Sequence, residues 1–287
     1  MTDHYGPGHH ALTFDDASGA SREYLLFVPE GTVRGLVVMF HPFGGRPELV
    51  MNGGTDDGYL TRPLTGAASA ADALGLVVLA PRSRGRELDG VSLAWKGHLD
   101  AVWAVSESLR DSFGLKSVGA GGLSMGGLEA LVFAGQHPQG VPAVWSANPI
   151  VNLASWRDHL AGTSSPESDS GLAEQIDMEV GGPPQALPLE YAARSPFDYV
   201  ESLSDVRIRL VWSPADTVIP NQRAVHAGAL ATRIRERCGD VIEIVVTHRS
   251  EDASIDNGRF AHEACDVREG MAWLAEQLNH SHQGGIA

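Results

Sequence analysis

Short apolar runs of strand length recur along the chain, and longer stretches of helical character separate them. Most of the short runs are continuously apolar, as strands of a parallel sheet are when helices cover both faces. Each run is bounded by glycine, proline or charged residues, which favours a strand that ends in a turn. The pattern predicts strands at Tyr24–Val28, Gly35–Phe40, Leu76–Ala80, Ser117–Gly121, Ala143–Ser146, Arg207–Trp212 and Val241–Thr247.

The longer stretches contain no internal proline, so each can form an uninterrupted helix. The predicted helices are Leu64–Leu74, Ala101–Phe113, Leu128–Gln136, Gln222–Arg237 and Val267–Leu278. Strands that alternate with helices are typical of a mostly parallel sheet with helices on both faces. The sequence therefore predicts an α/β fold.

Residues 148–200 interrupt this rhythm. They are rich in proline, glycine, serine and acidic residues, with helical hints at Ser155–Leu160 and Leu172–Met178. A structureless connection of that length is uncommon inside a compact domain. We therefore expect 148–200 to be a cap or lid insertion over a site, within one domain that spans residues 1–287.

The charge and composition of the chain exclude some classes of binding partner. The chain has 287 residues, with 21 basic and 36 acidic side chains and a net charge of -15. Nucleic acid and anionic membranes would be repelled by this charge, and a strongly acidic substrate is disfavoured. The first residues lack the basic start and apolar run of a secretory signal, and no run approaches the roughly 20 apolar residues of a membrane span. We expect a cytoplasmic protein in which Cys238 and Cys265 are reduced, although a bridge between them stays open.

The strongest local signal is the run from Gly122 to Gly127, which reads GLSMGG. It lies directly after a predicted strand and directly before a predicted helix, the context of a nucleophile elbow. A strand-to-helix turn strains the serine, and the flanking glycines avoid collisions with neighbouring backbone. Ser124 is therefore the candidate nucleophile.

This elbow resembles that of α/β-hydrolase serine hydrolases, in particular prolyl-oligopeptidase-like and dienelactone-hydrolase-like esterases. The resemblance covers nearly the whole chain outside 148–200. It implies an α/β-hydrolase fold, with a mostly parallel central sheet flanked by helices and a cap insertion after the sixth strand. It also implies that the acid and then the base follow the nucleophile in the chain.

The acid and base candidates follow from that order. The segment 207–220 is a strand and a tight turn that carries Asp216, and it resembles the acid loop of the family. Asp216 could instead be a helix N-cap. The alternative acids are Asp205, which lies before the strand, and Asp252 and Asp256 in the later histidine loop.

For the base, chain order leaves His226, His248 and His262 before the C-terminal tail. His226 lies in a predicted helix, and His248 directly follows the last apolar strand. His262 comes after a polar loop and just before the closing helix, where the family places its catalytic histidine. We favour His262, with His248 as the alternative.

The oxyanion hole is expected to use two backbone N–H groups. One is that of Met125, which follows the nucleophile, and the other is that of Phe43 in the segment HPFGG. This segment resembles the family's His-Gly-x-Gly-Gly motif, with Pro42 in place of the first glycine. Pro42, Ser213 and Ala261 stand where many relatives carry glycine, which leaves the substrate more open than the reaction.

Together these residues predict hydrolysis of a small-molecule carboxylic ester through a Ser-His-Asp triad and an acyl-enzyme, with no cofactor and no metal. Trp156, in the expected cap, is the candidate pocket residue. The alternatives on the same site are amide, peptide or thioester hydrolysis and acyl transfer. An alternative of another class is lyase or ligand-binding use of the same fold.

Overall fold

A central sheet dominates the architecture. The computed structural model of the chain describes residues 5–15, 19, 21–55, 60–162, 169–247, 251–252, 254, 256–263 and 265–283. Within these residues there is one eight-stranded sheet and one ladder of two short strands. In chain order the strands are β1 Gly8–Asp15, β2 Ser21–Val28, β3 Gly35–Phe40, β4 Gly53–Gly54, β5 Leu64–Thr65, β6 Leu76–Pro81, β7 Val118–Leu123, β8 Ala143–Ala147, β9 Arg207–Trp212 and β10 Val241–Val245.

Helices connect most of these strands. In chain order they are α1 Pro47–Asn52, α2 Ala68–Leu74, α3 Lys96–Ser112, α4 Met125–Gln136, α5 Leu153–Gly162, α6 Asp169–Val180, α7 Pro188–Ala193, α8 Val200–Leu203, α9 Ala227–Arg235, α10 Asn257–Glu263 and α11 Val267–Gln283. A 3-10 helix at Pro196–Tyr199 immediately precedes α8.

The strand order in the large sheet is β1-β2-β6-β3-β7-β8-β9-β10. The pairings β1/β2 and β2/β6 are antiparallel, and every pairing from β6 to β10 is parallel. The predicted α/β fold with a mostly parallel sheet is confirmed.

Strand β3 shows how the core is divided between the two faces of the sheet. Leu36, Val38 and Phe40 belong to one buried apolar cluster, and Val37 and Met39 belong to the other. Successive side chains on a strand point to opposite faces, so an all-apolar strand needs cover on both. Residues of α3, α4 and α9 join the first cluster, and residues of α1, α2 and α11 join the second.

The parallel strands also define where a site can form. Because β3, β7, β8 and β9 run in parallel as neighbours, their carboxyl ends meet at one edge of the sheet. The chain leaves these four strands at His41, Ser124, Asn148 and Ser213. Residues far apart in sequence are thereby collected at one edge.

All seven predicted strands are present, but the pattern missed β1. Its residues alternate between partly buried and exposed, so no apolar run marks it. It is an edge strand that pairs with β2 over its whole length, from Gly8↔Val28 to Asp15↔Ser21. Pairing with a neighbouring strand, rather than burial, explains this element.

Two predicted helices begin later than the sequence indicated. The first begins at Ala68, because Leu64–Thr65 pairs with Gly53–Gly54 as a short antiparallel ladder. The second begins at Ala227, because the preceding residues form a turn in which Asn221 has a φ of 62°. His226, expected inside a helix, therefore lies just before α9, with φ and ψ of −117° and −115°.

The described part of 148–200 is largely helical. Its two helical hints are confirmed within α5 and α6, whereas α7 and the 3-10 helix were not predicted. The buried Glu179 carboxylate on α6 accepts hydrogen bonds from the N–H groups of Arg86, Glu87 and Leu88, at 2.8, 3.0 and 3.2 Å. Three backbone donors on one carboxylate fix this segment to the loop between β6 and α3.

Candidate active site

Ser124 lies in the turn between β7 and α4 with a φ of 60° and a ψ of −118°. A positive φ is uncommon for a residue other than glycine and marks a strained turn. A Cβ on Gly122 would lie 2.3 Å from the carbonyl oxygen of Gly126, and one on Gly126 would lie 2.2 Å from that of Phe40. The flanking glycines are therefore required for the turn to pack against β3.

Asp216 and His262 are in direct contact. The Nδ1 atom of His262 lies 2.8 Å from Oδ2 of Asp216, and both side chains are buried. Oδ1 of Asp216 accepts the N–H groups of Val218 and Ile219, both at 2.9 Å. The carboxylate is thus held by its own turn on one oxygen, while the other oxygen orients the imidazole.

The local setting of His262 differs from the loop that the sequence suggested. It lies within the short helix α10, five residues before α11 starts with Val267. The next residue, Glu263, is buried and accepts hydrogen bonds from the N–H groups of Thr61, at 2.7 Å, and Arg62, at 3.1 Å. This carboxylate fixes α10 to the chain just before β5.

The alternative candidates are placed less favourably. Asp205 lies before β9, where its N–H donates to the carbonyl oxygen of Ser202. Asp252 is exposed, and Asp256 accepts the N–H of Gly258 at the start of α10. His248 lies outside the described residues.

The loop after β3 is held by a buried histidine. The Ser83 N–H donates to Nε2 of His41 at 3.0 Å, so the ring proton is on Nδ1, which donates to the carbonyl oxygen of Pro42 at 2.8 Å. Burial lowers the pKa of His41 to about 4, so the ring is neutral near pH 7. The Gly44 N–H donates to the carbonyl oxygen of Gly90 at 3.2 Å.

Ser124, His262, Phe43 and Trp156 line one cavity of about 610 Å³. Met125 is the first residue of α4, so its N–H has no acceptor within that helix. The structure therefore brings the serine, the histidine, the loop of Phe43 and Trp156 together, with Asp216 behind the histidine.

The chain and its fold can be compared with those of known proteins. No protein-family model matches the chain, and no curated protein matches it. Solved structures match over nearly its whole length. An S-formylglutathione hydrolase from Agrobacterium tumefaciens superposes with a TM-score of 0.63 at 15% identity, covering 94% of this chain and 95% of that one. A Pyrobaculum calidifontis esterase gives a TM-score of 0.63 at 16% identity, covering 98% and 88%.

A Pyrococcus horikoshii acylaminoacyl peptidase gives a TM-score of 0.60 at 17% identity, with 96% of this chain covered. This chain spans only 41% of the length of that peptidase. The neighbours share one architecture. The chain has an α/β-hydrolase fold.

Within this α/β-hydrolase fold, a buried polar network supports the loop that carries Phe43. The Ser83 hydroxyl donates to Oε2 of Glu129 at 2.8 Å, and the Ser92 hydroxyl donates to Oε1. Burial raises the pKa of the Glu129 carboxyl to about 8. Since the Ser83 N–H also holds His41, the network runs from α4 to the loop after β3.

Three residues that support the site were missed from the sequence. Asn148 contacts the backbone of Ser213 and His262, Gln222 lies 3.3 Å from Oδ2 of Asp216, and Glu263 fixes α10. The position of Asn148 two residues after a predicted strand was an available signal, because neighbouring parallel strands end at the same edge. No sequence pattern marks the other two.

The two cysteines of this α/β-hydrolase scaffold do not favour a thiol nucleophile. Cys238 and Cys265 are free thiols, and burial raises the pKa of Cys265 to about 12, which disfavours a thiolate nucleophile.

The described residues hold no cluster of three or more histidine, cysteine or acidic side chains arranged for a metal ion. Over the same residues, no helix is both long and apolar enough to cross a membrane.

Proposed function

We propose that this chain is a serine hydrolase that cleaves a small-molecule carboxylic ester through Ser124, His262 and Asp216. The observation that carries the proposal is the 2.8 Å hydrogen bond between Nδ1 of His262 and Oδ2 of Asp216, beside a cavity lined by both His262 and Ser124. A neutral histidine held in this way by a carboxylate leaves Nε2 to exchange a proton with a hydroxyl.

The reaction has two halves. The Ser124 oxygen attacks the acyl carbon while its proton passes to Nε2 of His262, and the carbonyl oxygen becomes an oxyanion. The intermediate then collapses: the bond to the alcohol oxygen breaks, and the departing alcohol takes the proton from Nε2. Water repeats these steps on the acyl-enzyme, giving the acid and restoring the serine.

The oxyanion is held by the N–H groups of Met125 and Phe43 in this proposal. The N–H of Met125 also lies at the positive end of the α4 helix dipole. The neutral His41 ring fixes the loop of Phe43. The N–H groups of this loop are therefore in place before negative charge develops on the carbonyl oxygen of the substrate. Donors fixed in advance of reaction stabilise an oxyanion more than donors that must reorient.

An ester substrate is favoured over a peptide by the matched lengths of the neighbours. The esterase and the S-formylglutathione hydrolase are covered over 88% and 95% of their chains, against 41% for the peptidase. The likeness to an S-formylglutathione hydrolase, whose named substrate is a thioester, supports thioester hydrolysis as the second candidate activity. Both reactions use the same acyl-enzyme.

The test combines labelling with turnover. The folded protein is treated with a fluorophosphonate probe and measured by intact mass, and p-nitrophenyl esters of increasing chain length are assayed alongside matched thioester and p-nitroanilide substrates. We expect one adduct on Ser124 and turnover of at least one short ester. Ser124→Ala and His262→Ala should abolish turnover, and His248→Ala should keep most of it.

The outcomes separate the alternatives. A folded protein with neither adduct nor turnover would contradict the serine-hydrolase proposal and favour ligand-binding or lyase use of the fold. An adduct together with faster thioester or anilide cleavage would keep Ser124 and replace the substrate class. Loss of activity in His248→Ala but not in His262→Ala would reassign the base.

A further inference from the structure

Asn148 is a buried polar residue at the point where β8 ends. It has a φ of 39°, in the left-handed region that asparagine tolerates better than most residues. Only 1% of the residue is exposed, and its N–H donates to the carbonyl oxygen of Val211 on β9 at 2.7 Å. The strand ladder thus extends through Asn148 and fixes where its side chain begins.

Both polar atoms of the Asn148 carboxamide form hydrogen bonds. Its Oδ1 accepts the N–H of Ser213 at 2.9 Å, and its Nδ2 donates to the carbonyl oxygen of His262 at 2.5 Å. The same Nδ2 lies 3.4 Å from the carbonyl oxygen of Ala261. A carboxamide carries both an acceptor and a donor, whereas an ionised carboxylate has no donor for these carbonyl groups.

The partners of Asn148 belong to the two halves of the acid–base pair. Ser213 begins the turn that carries Asp216, and its carbonyl oxygen accepts the Asp216 N–H at 3.3 Å. His262 is held through its own backbone carbonyl. Asp216 and His262 are 46 residues apart in the chain, so their contact depends on how the β9 turn and α10 are fixed to each other.

Residues on both sides of Asn148 also contact the nucleophile. The carbonyl oxygen of Ala147 accepts the Ser124 N–H at 2.9 Å, and the Ile150 N–H lies 3.4 Å from the carbonyl oxygen of Ser124. The segment from Ala147 to Ile150 therefore contacts Ser124, His262 and the turn that carries Asp216.

We propose that Asn148 is a positioning residue for the acid–base pair, and that its carboxamide sets the separation between the Asp216 turn and the backbone of His262. This inference rests on the proposed function for its effect on turnover. Asn148 does not act on the substrate. It keeps the imidazole within hydrogen-bond distance of the carboxylate, which is a requirement of orientation rather than of binding.

The first test compares Asn148→Gly with Asn221→Gly. Glycine adopts positive φ without strain, so each variant keeps its backbone and loses only an asparagine side chain. Asn221 is an exposed residue with a φ of 62°. We expect Asn148→Gly to lower kcat on a p-nitrophenyl ester by about 10- to 100-fold with KM within about threefold. Asn221→Gly should leave both constants unchanged.

The second variant, Asn148→Asp, keeps the shape and tests the donor. When ionised, the carboxylate faces two carbonyl oxygens without a proton to donate; when protonated, it can again donate and accept. We expect the ratio of its kcat to that of the unaltered chain to rise at least about fivefold as the pH falls from 8 to 6, because burial favours the protonated acid. A general loss of packing would not follow pH in this way.

A spectroscopic readout separates this inference from the proposed function. The hydrogen bond from Nδ1 of His262 to Asp216 should give a low-field proton NMR signal in the unaltered chain and in Asn221→Gly, and the signal should shift or broaden in Asn148→Gly. This readout does not need turnover, so it tests positioning even in an inactive chain. If Asn148→Gly fails to fold, the pH dependence of Asn148→Asp decides.

A folded Asn148→Gly with an unchanged signal and with kcat within about twofold of the unaltered chain would overturn the positioning role. A kcat ratio for Asn148→Asp that is far below one and does not change with pH would overturn it as well. Absence of both turnover and fluorophosphonate labelling in the unaltered chain would instead contradict the proposed function, and the NMR comparison would still judge Asn148.

Discussion

The indole N–H of Trp156 donates to the carbonyl oxygen of Val218 at 2.9 Å, while its ring packs edge-on against Phe43 with centroids 6.0 Å apart. Val218 lies two residues after Asp216, and Phe43 lies in the loop after β3. One side chain from α5 therefore contacts both the turn of the proposed acid and the loop of the proposed oxyanion hole. It forms a wall of the cavity that both of them border.

Removing this wall should change which acyl chain fits. We expect Trp156→Ala to lower kcat/KM for p-nitrophenyl acetate by about tenfold, because short substrates lose packing, and to raise the octanoate-to-acetate ratio of kcat/KM. The ester panel measures both. Trp103→Ala removes an indole that stacks on His137 away from the cavity lining, and its ratio should stay unchanged. If the octanoate-to-acetate ratio of kcat/KM is unchanged in Trp156→Ala, Trp156 does not line the acyl pocket.

The carboxylate of Asp216 should matter through its charge. Asp216→Asn keeps the size of the side chain, and its Oδ1 can still accept the N–H groups of Val218 and Ile219. An amide stabilises an imidazolium poorly and can favour the wrong tautomer, so we expect kcat to fall about a thousandfold or more. Circular dichroism should show a folded protein. Asp205→Asn, at the other end of β9, should leave kcat within about twofold; the reverse pattern would move the acid to Asp205.

Glu129 should make the protein less stable at alkaline pH. Burial raises its pKa from the ordinary 4.5 to about 8, so between these values the folded chain binds a proton that the unfolded chain releases. The unfolding free energy contributed by this group therefore falls as the pH rises toward 8. We expect the stability of Glu129→Gln relative to the unaltered chain to rise by at least about 1 kcal/mol between pH 5.5 and 8.5.

Urea unfolding at the two pH values measures this difference. Glu190→Gln, an exposed site, serves as the matched control and should show the same pH dependence as the unaltered chain. A constant offset between Glu129→Gln and the unaltered chain would mean that Glu129 titrates normally.

His98 should weaken the fold in acid. It packs against Phe40, and neither of its ring nitrogens has a hydrogen-bond partner among the described residues. Burial lowers its pKa from 6.5 to about 3, so the unfolded chain binds a proton that the folded chain excludes, and stability falls as the pH drops below about 6.5. His98→Leu should therefore lose less unfolding free energy than the unaltered chain between pH 7.5 and 5.

Thermal and urea unfolding at both pH values check this expectation, with His9→Gln on the edge strand β1 as the control. The unaltered chain should keep some acid sensitivity in either case, because burial also lowers the pKa values of His41 and His226 to about 4. Equal acid losses in His98→Leu and the unaltered chain would contradict the prediction for His98.

The α/β class, the seven predicted strands and the strand-turn-helix context of Ser124 follow from the sequence alone. These are local features: an apolar run, a glycine-rich turn and a proline-free stretch show themselves within a few residues. The sequence did not reveal β1, because an edge strand that pairs with β2 needs no continuous apolar run. The order of residues in the chain, together with the family resemblance, predicts Asp216 and His262 as partners. It does not show that their side chains are in contact.

The contact between Asp216 and His262, and the groups that support it, depend on the tertiary structure. The parallel order of β3, β7, β8 and β9 collects four loop starts at one edge, and long-range hydrogen bonds then fix each loop. Asn148, His41 and Glu129 act through partners far away in the chain, so the sequence does not show which groups they contact. Local composition sets an element, whereas a site depends on distances between elements, and these distances exist only once the sheet has formed.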